Sequence, residues 1–175
     1  QMCIRDSPTE AIQDPERPVI DPEVPEIIVT ETVCRTYAFE DIWPYGGDYD
    51  LNDVIVEHKR IVKFNKDNYV NSVEDSFKPV QEASAAQLVN AFAVQYPSAN
   101  RGTITLPEGA VDETATNSVL LFANAKTVRN QTFTVTRTFG KSAFLKENLE
   151  TSLNPFIIPA LTEGEYLNDG RTEVH

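Results

Sequence analysis

Two stretches of the chain have patterns of hydrophobic and polar residues that are typical of β-strands. The stretch from Val54 to Phe64 is rich in β-branched residues, and the stretch from Thr132 to Phe139 alternates with a period of two. Because successive side chains of a strand point to opposite faces of its sheet, such alternation is typical of a strand with one buried face. The pattern therefore predicts a β-strand over each stretch.

Shorter apolar runs bounded by Asn, Pro or Gly predict further strands. They are Ala91 to Tyr96, Gly102 to Leu106 and Ser118 to Ala123. Two short helices are predicted as well, from Glu82 to Leu88 and from Ala143 to Leu149. Several short strands joined by polar turns favour antiparallel sheets over alternating strands and helices. We therefore predict an all-β protein, an antiparallel β-sandwich of jelly-roll type.

The N-terminal segment has a different composition. From Pro8 to Glu31 it contains five of the chain's eleven prolines and seven acidic residues. Proline has a fixed φ and no amide hydrogen, so the segment is expected to be an extended linker and not a helix. The stretch from Met2 to Ser7 resembles a translated sequencing adapter, which suggests that the natural start has been lost. We predict an extended start and linker over residues 1–31 and one β-sandwich domain over residues 32–175.

The chain carries 27 acidic and 15 basic residues, a formal net charge of −12. Such a charge repels the phosphate backbone of nucleic acids, so nucleic acid is not expected as a partner. An acidic surface attracts divalent cations, and it also keeps an exported protein soluble without any specific ligand. No stretch approaches the roughly 18 consecutive apolar residues of a membrane-spanning helix, so no transmembrane segment is predicted within the chain.

The acidic residues are densest between Phe39 and Asp53, where five carboxylates and one Asn occur within fifteen residues. No Lys or Arg lies between Arg35 and Lys59, so no neighbour in the sequence neutralises their charge. Calcium takes about six to eight oxygen ligands, and an Asp-x-Asp-x-Asn spacing lets a looping backbone point successive side-chain oxygens at one centre. The segment therefore predicts a Ca²⁺ site, with magnesium as the lesser candidate. The predicted ligands are the oxygen-bearing side chains of this segment: Glu40, Asp41, Asp48, Asp50, Asn52 and Asp53.

Two alternatives bear on this acidic segment. An EF-hand loop needs Gly at its sixth position and Glu at its twelfth, and counting from Asp48 these positions hold Asp53 and Lys59, which excludes an EF-hand. Asp, Asn and Gly also form Asx turns and strand-end caps without any metal. Against that second alternative, several unpaired carboxylates within a few ångströms of one another repel, and burying them costs several kcal/mol.

The string FEDIWPYGGDYDLNDVIVE, from Phe39 to Glu57, resembles the signature of the LruC-type domain family, usually written close to FEDLWPxxGDYDFNDLVV. The family occurs in exported proteins of Gram-negative bacteria, and its function is otherwise unknown. The resemblance implies a β-sandwich, export and calcium binding. It continues at Asn90 to Gln95, at Ser118 to Asn124 and at Asn154 to Ile157. Ala123 stands where the family tends to have an Asp, so an ion site that uses this Asp would have one ligand fewer here.

The end of the chain also resembles this family. Arg171 to His175 is similar to the lead into a further C-terminal motif, which implies a fragment that lacks one or more C-terminal strands. From the resemblance we expect a protein of the cell surface, outer membrane or periplasm, with a lipid anchor upstream of the chain as one option. The expected partner is a surface glycan or a protein ligand.

Three function classes follow. A non-enzymatic structural or adhesive module is favoured, because no nucleophile and base stand out in the sequence. A calcium-dependent carbohydrate-binding module is the first alternative, since Trp43, Tyr45 and Tyr49 lie among the acidic residues. The opposing interpretation is that Trp43 and Phe39 anchor the segment to the core, as large aromatics usually do. An uncharacterised hydrolase is the second alternative, but His58 has charged neighbours and is expected on a solvated strand face.

Overall fold

The computed structural model describes residues 28–41, 50–82, 85–86, 88–98, 101–140, 143–149 and 153–160. Over these ranges the chain forms β-strands and turns, with a short 3₁₀ turn at Lys146–Asn148. The strands are β1 (Ile28–Phe39), β2 (Val54–Asn65), β3 (Val70–Pro79), β4 (Val89–Gln95), β5 (Thr103–Thr105), β6 (Val111–Glu113), β7 (Ser118–Phe122), β8 (Phe133–Thr138) and β9 (Asn154–Ala160).

The strands form two antiparallel sheets that pack against each other, which confirms the predicted all-β sandwich. The first sheet has the strand order β1-β2-β3-β8-β5, and the second has the order β6-β7-β4-β9. The predicted strands correspond to β2, β4, β5, β7 and β8, whose ends differ from the predictions by a few residues at most. The β-branched residues identified β2, and its even-numbered residues from Val54 to Phe64 are all buried, the polar His58 and Arg60 among them.

Aromatic rings fill the space between the two sheets. The ring of Phe92 in β4 lies 5.7 Å from that of Phe77 in β3 and 6.1 Å from that of Phe39 at the end of β1, measured between centroids. Phe39 is buried in this core cluster, as predicted for an aromatic that anchors the acidic segment. Trp43, predicted to share that role, lies outside the described residues.

Four observed strands were not predicted: β1, β3, β6 and β9. β1 is exposed over most of its length, so its sequence does not alternate between buried apolar and exposed polar residues. It begins at Ile28, and residues 28–31, assigned to the linker from their sequence, therefore belong to the sandwich. β9 contains Pro155 and Pro159, which is tolerated because β4 is its sole neighbour among the described strands.

No helix is found at the described residues of the range from Glu82 to Leu88, where one was predicted. The described residues of that range, namely Glu82, Ala85, Ala86 and Leu88, have no helical conformation. The amide of Leu88 donates to Oδ2 of Asp41 at 3.2 Å. In a helix this amide would donate to a backbone carbonyl of the preceding turn. The second prediction, a helix from Ala143 to Leu149, is reduced to the 3₁₀ turn. The carbonyl of Phe144 accepts a hydrogen bond from the amide of Val70 at the start of β3, and is thus bonded to a strand and not within a helix.

The structure also corrects the expectation that His58 is solvated. His58 is 2% exposed and lies on the inner face of β2, in phase with the buried Val56 and Arg60. Its Nε2 donates to Oδ1 of Asp75 at 2.8 Å, and its ring stacks on that of Phe77 with 4.7 Å between centroids. The charged residues next to it in the sequence point to the opposite face, because neighbours in a strand alternate.

Asp75 is the centre of a buried charge cluster between the sheets. Nε and Nη2 of Arg60 donate to its carboxylate at 2.7 and 3.2 Å, and Nη2 of Arg137 lies 3.6 Å from its Oδ2. Burial alone would raise the pKa of Asp75, but the hydrogen bonds from His58 and Arg60 and the positive charges of Arg60 and Arg137 outweigh it and lower that pKa. The ionised carboxylate therefore compensates two guanidinium groups that the sandwich has taken out of water.

Candidate metal centre

Three carboxylates converge where β1 ends and β2 begins. Phe39 and Val54 are cross-strand partners, the last pair of the β1–β2 ladder. Glu40 and Asp41 follow Phe39 directly, and Asp53 directly precedes Val54. Strand pairing therefore brings together residues from both ends of the acidic segment.

The three carboxylates are close enough to share one ion. One oxygen from each of Glu40, Asp41 and Asp53 lies within 4.8 Å of the other two. Ligand oxygens bind calcium at about 2.4 Å, so two of them on opposite sides of one ion are up to ~4.8 Å apart. The side chains are buried, with exposures of 3%, 5% and 6% respectively. The spacing therefore suits a single cation held away from bulk water.

Hydrogen bonds fix two of these carboxylates. The amide of Asp41 donates to Oδ2 of Asp53 at 2.8 Å. The Oδ2 of Asp41 in turn accepts from the amide of Leu88 at 3.2 Å and from Nδ2 of Asn90 at 3.0 Å. Asn90 belongs to β4 and Leu88 immediately precedes that strand, so the second sheet contributes to holding a site built on the first.

Glu40 is the residue whose charge is least satisfied. Its Oε2 is buried and has no hydrogen-bond partner. None of the ion pairs found between described residues involves Glu40, Asp41 or Asp53. An ionised carboxylate that is removed from water without a partner is strongly disfavoured. Binding of a cation or of a proton would therefore stabilise this site.

The titration of Asp53 reflects the same crowding. The pKa of Asp53 is raised to about 7. Burial is the largest cause, and the negative charges of Asp41 and Glu40 and a hydrogen bond with Glu40 also raise it. The hydrogen bond from the Asp41 amide acts in the opposite direction. Without a metal, the carboxyl group of Asp53 is therefore partly protonated near neutral pH, and a cation would have to displace that proton.

The other predicted ligands are placed differently. Asp50 is exposed and accepts a hydrogen bond from Nδ2 of Asn52, which is half-buried. These two side chains are therefore hydrogen-bonded to each other. Asp50 does not belong to the group of carboxylates formed by Glu40, Asp41 and Asp53. Asp48 lies outside the described residues, as do Tyr45 and Tyr49 of the carbohydrate-binding alternative.

The donor set of the site matches a hard cation. Carboxylate oxygens suit calcium, magnesium and manganese, whereas zinc sites are usually built from thiolates and imidazoles. The orphaned oxygen of Glu40 and the 4.8 Å spacing fit a bound metal ion. Glu40, Asp41 and Asp53 are the residues that could hold it.

Asn90 was not among the candidate ligands proposed from the sequence. It lies 49 positions from Asp41, so no local spacing connects the two residues. Its place in the resemblance to the LruC-type family was the sole sequence feature that singled it out. Ala123, the position of the family's Asp, packs against an apolar cluster that contains Ala91 and Ala93 of β4.

Comparisons of the chain with family models, with curated proteins and with solved structures find no match. The described part of the chain contains no helix that is long and apolar enough to cross a membrane.

Proposed function

We propose that the chain is a non-enzymatic, calcium-binding β-sandwich module with a structural or adhesive role at a bacterial surface or outer membrane. The observation that carries the proposal is the buried Oε2 of Glu40, which has no partner and lies in a group of three carboxylates. A divalent cation would neutralise two of the three charges and supply the partner that Glu40 lacks.

Calcium is favoured over the other hard cations. Magnesium demands near-ideal octahedral geometry and keeps several of its waters, so it is usually held by one or two carboxylates. Here three carboxylates are gathered and almost fully shielded from solvent, which suits an ion that accepts six to eight oxygens in flexible geometry.

A structural role is favoured because the carboxylates are buried between strands. With at most 6% of each residue exposed, Glu40, Asp41 and Asp53 offer a substrate no access to the ion. An ion at this position would fasten the end of β1 to the start of β2. A location at the bacterial surface rests on the resemblance of Phe39 to Glu57 to the LruC-type signature.

Calorimetric titration of the chelator-treated chain tests calcium binding directly. We expect one calcium ion per chain, bound more tightly than magnesium. If calcium binds only the folded chain, a concentration of 100 times its dissociation constant adds about 2.7 kcal/mol of stability and raises Tm by several degrees. The absence of both binding and a Tm shift at millimolar calcium would reject the proposal.

The adhesive role requires a separate measurement. A glycan array probed with the chain in calcium and in chelator distinguishes a scaffold from a carbohydrate-binding module. Calcium-dependent binding to defined glycans would move the assignment to the carbohydrate-binding class. Calcium-dependent stability without glycan binding would support a structural module or a module that adheres to protein.

A further inference from the structure

Asn90 is a second residue at the metal centre with an unsatisfied oxygen. It lies in β4 and is 1% exposed. Its Nδ2 donates to Oδ2 of Asp41 at 3.0 Å, which places the amide group against the carboxylates. Its Oδ1 is buried and has no hydrogen-bond partner.

A buried amide oxygen without a partner destabilises a fold by about 1–3 kcal/mol, so native structures rarely leave one. Oδ1 shares its carbon atom with Nδ2 and therefore lies in the immediate vicinity of the Asp41 carboxylate. Glu40 presents the other orphaned oxygen of the same site. Both orphans are acceptors, and one cation within reach of both would satisfy them, whereas the carboxylates can offer neither of them a donor while ionised.

We infer that Oδ1 of Asn90 is a further ligand of the calcium ion, supplied from the second sheet. This inference rests on the proposed function. Glu40, Asp41 and Asp53 belong to the β1–β2 end of the first sheet, and Asn90 belongs to β4 of the second. The ion then links the two layers of the sandwich, and Asn90 adds a neutral oxygen ligand without adding to the repulsion among the carboxylates.

Two roles of Asn90 must be separated by experiment. As a ligand, it contacts the ion through Oδ1. As a positioning residue, it only orients Asp41 through Nδ2, and its Oδ1 accepts a hydrogen bond from another group, such as a buried water. The carbonyl carbon of its side chain senses the difference, because its NMR shift changes when the attached oxygen binds a cation.

The experiment combines calorimetry of variants with ¹³C NMR of the wild-type chain. We expect Asn90→Ala to weaken calcium binding by about tenfold or more, and Asn90→Asp, which retains an oxygen at the same position, to bind calcium more tightly than Asn90→Ala. The side-chain carbonyl resonance of Asn90, assigned in the labelled wild-type chain, should shift on addition of calcium. This spectroscopic measurement does not depend on whether either variant folds.

Asn65 provides the matched control. It is also a buried Asn, and its Oδ1 accepts from the amides of Asp67 and Tyr69 at the far end of β2. Asn65→Ala should lower thermal stability and leave calcium affinity within about twofold of wild type.

The outcomes distinguish this inference from the function on which it rests. Wild-type chain that binds no calcium rejects both. Wild-type chain that binds calcium while the Asn90 resonance stays in place, with Asn90→Ala binding as tightly as Asn65→Ala, overturns the ligand role of Asn90 and leaves the proposed function intact. A loss of affinity in Asn90→Ala without a shift of the wild-type resonance assigns Asn90 to positioning, and this also overturns the ligand role.

Discussion

Phe39 and Val54 form the last cross-strand pair of β1 and β2, and their pairing brings the carboxylates of Glu40 and Asp53 together. The negative charges of Asp41 and Glu40 both act on Asp53 at this end of the ladder. A cation would remove that repulsion and fix both strand ends. Substitutions that remove a carboxylate from this site are therefore expected to weaken calcium binding and to stabilise the metal-free chain.

Replacing Glu40 by Gln tests this opposition. The variant keeps the size of the side chain but loses a charge that has no partner at its Oε2. We expect calcium affinity to fall at least tenfold, and the thermal stability of the metal-free chain to rise, because less repulsion remains among the carboxyl groups. Calorimetry and melting in chelator measure the two effects.

Glu57→Gln is the matched control for Glu40→Gln. Glu57 lies in β2 on the outer face, where its side chain is 57% exposed and pairs with Lys78 at 3.6 Å. An exposed pair of this kind contributes little, so both calcium affinity and melting temperature should stay near those of wild type. Equal effects of the two substitutions would show that general charge, and not the buried site, governs calcium binding.

A comparison of Asp50 with Asp53 locates the ion. Both were predicted ligands, but Asp53 is buried among the carboxylates whereas Asp50 is exposed and hydrogen-bonded by Asn52. Asp53→Asn should weaken calcium binding at least tenfold, and Asp50→Asn should weaken it by less than about threefold. Titration of the two variants side by side gives the ratio. A larger loss in Asp50→Asn would move the ion toward the exposed part of the acidic segment.

Sequence reasoning succeeded where the determining contacts are local. Nearly strict alternation identified β8, where Val135 and Arg137 are buried, because alternate residues of a half-buried strand face the core. The strand β3 was not predicted, because a charged residue such as Asp75 is normally expected at the surface. That carboxylate is buried because it meets His58 and Arg60, which lie 17 and 15 positions away, and such partners are brought together by the sheet alone.

The same limit applies to the candidate site. The density of carboxylates pointed to the segment from Glu40 to Asp53, but spacing could not tell which of them gather and which stay in solvent. Pairing of β1 with β2 selects the two ends of the segment. Asn90 comes from the other sheet, so its contribution depends on how the two layers pack.

Asp75→Asn is expected to destabilise the sandwich strongly. The substitution removes the negative charge that faces the buried guanidinium groups of Arg60 at 2.7 Å and Arg137 at 3.6 Å. Loss of one partner from a buried ion pair typically costs about 3–5 kcal/mol. Urea unfolding of variant and wild type measures the difference. A change below about 1 kcal/mol would mean that water reaches the cluster and shields these charges.

Acid should weaken the wild-type sandwich through the same carboxylate. The pKa of Asp75 is lowered from 3.8 in the folded chain, so the folded state holds this proton less tightly than the unfolded state does. The resulting stability is fully present above pH ~4, and it is lost as the pH falls below that value toward the folded pKa. An NMR titration of the Asp75 carboxyl carbon should therefore give a midpoint below 3.8. Urea unfolding at pH 5 and pH 3 should show a steeper loss for wild type than for Asp75→Asn, which cannot take up that proton. A carboxyl midpoint at or above 4 would contradict this account of how the buried charges are held.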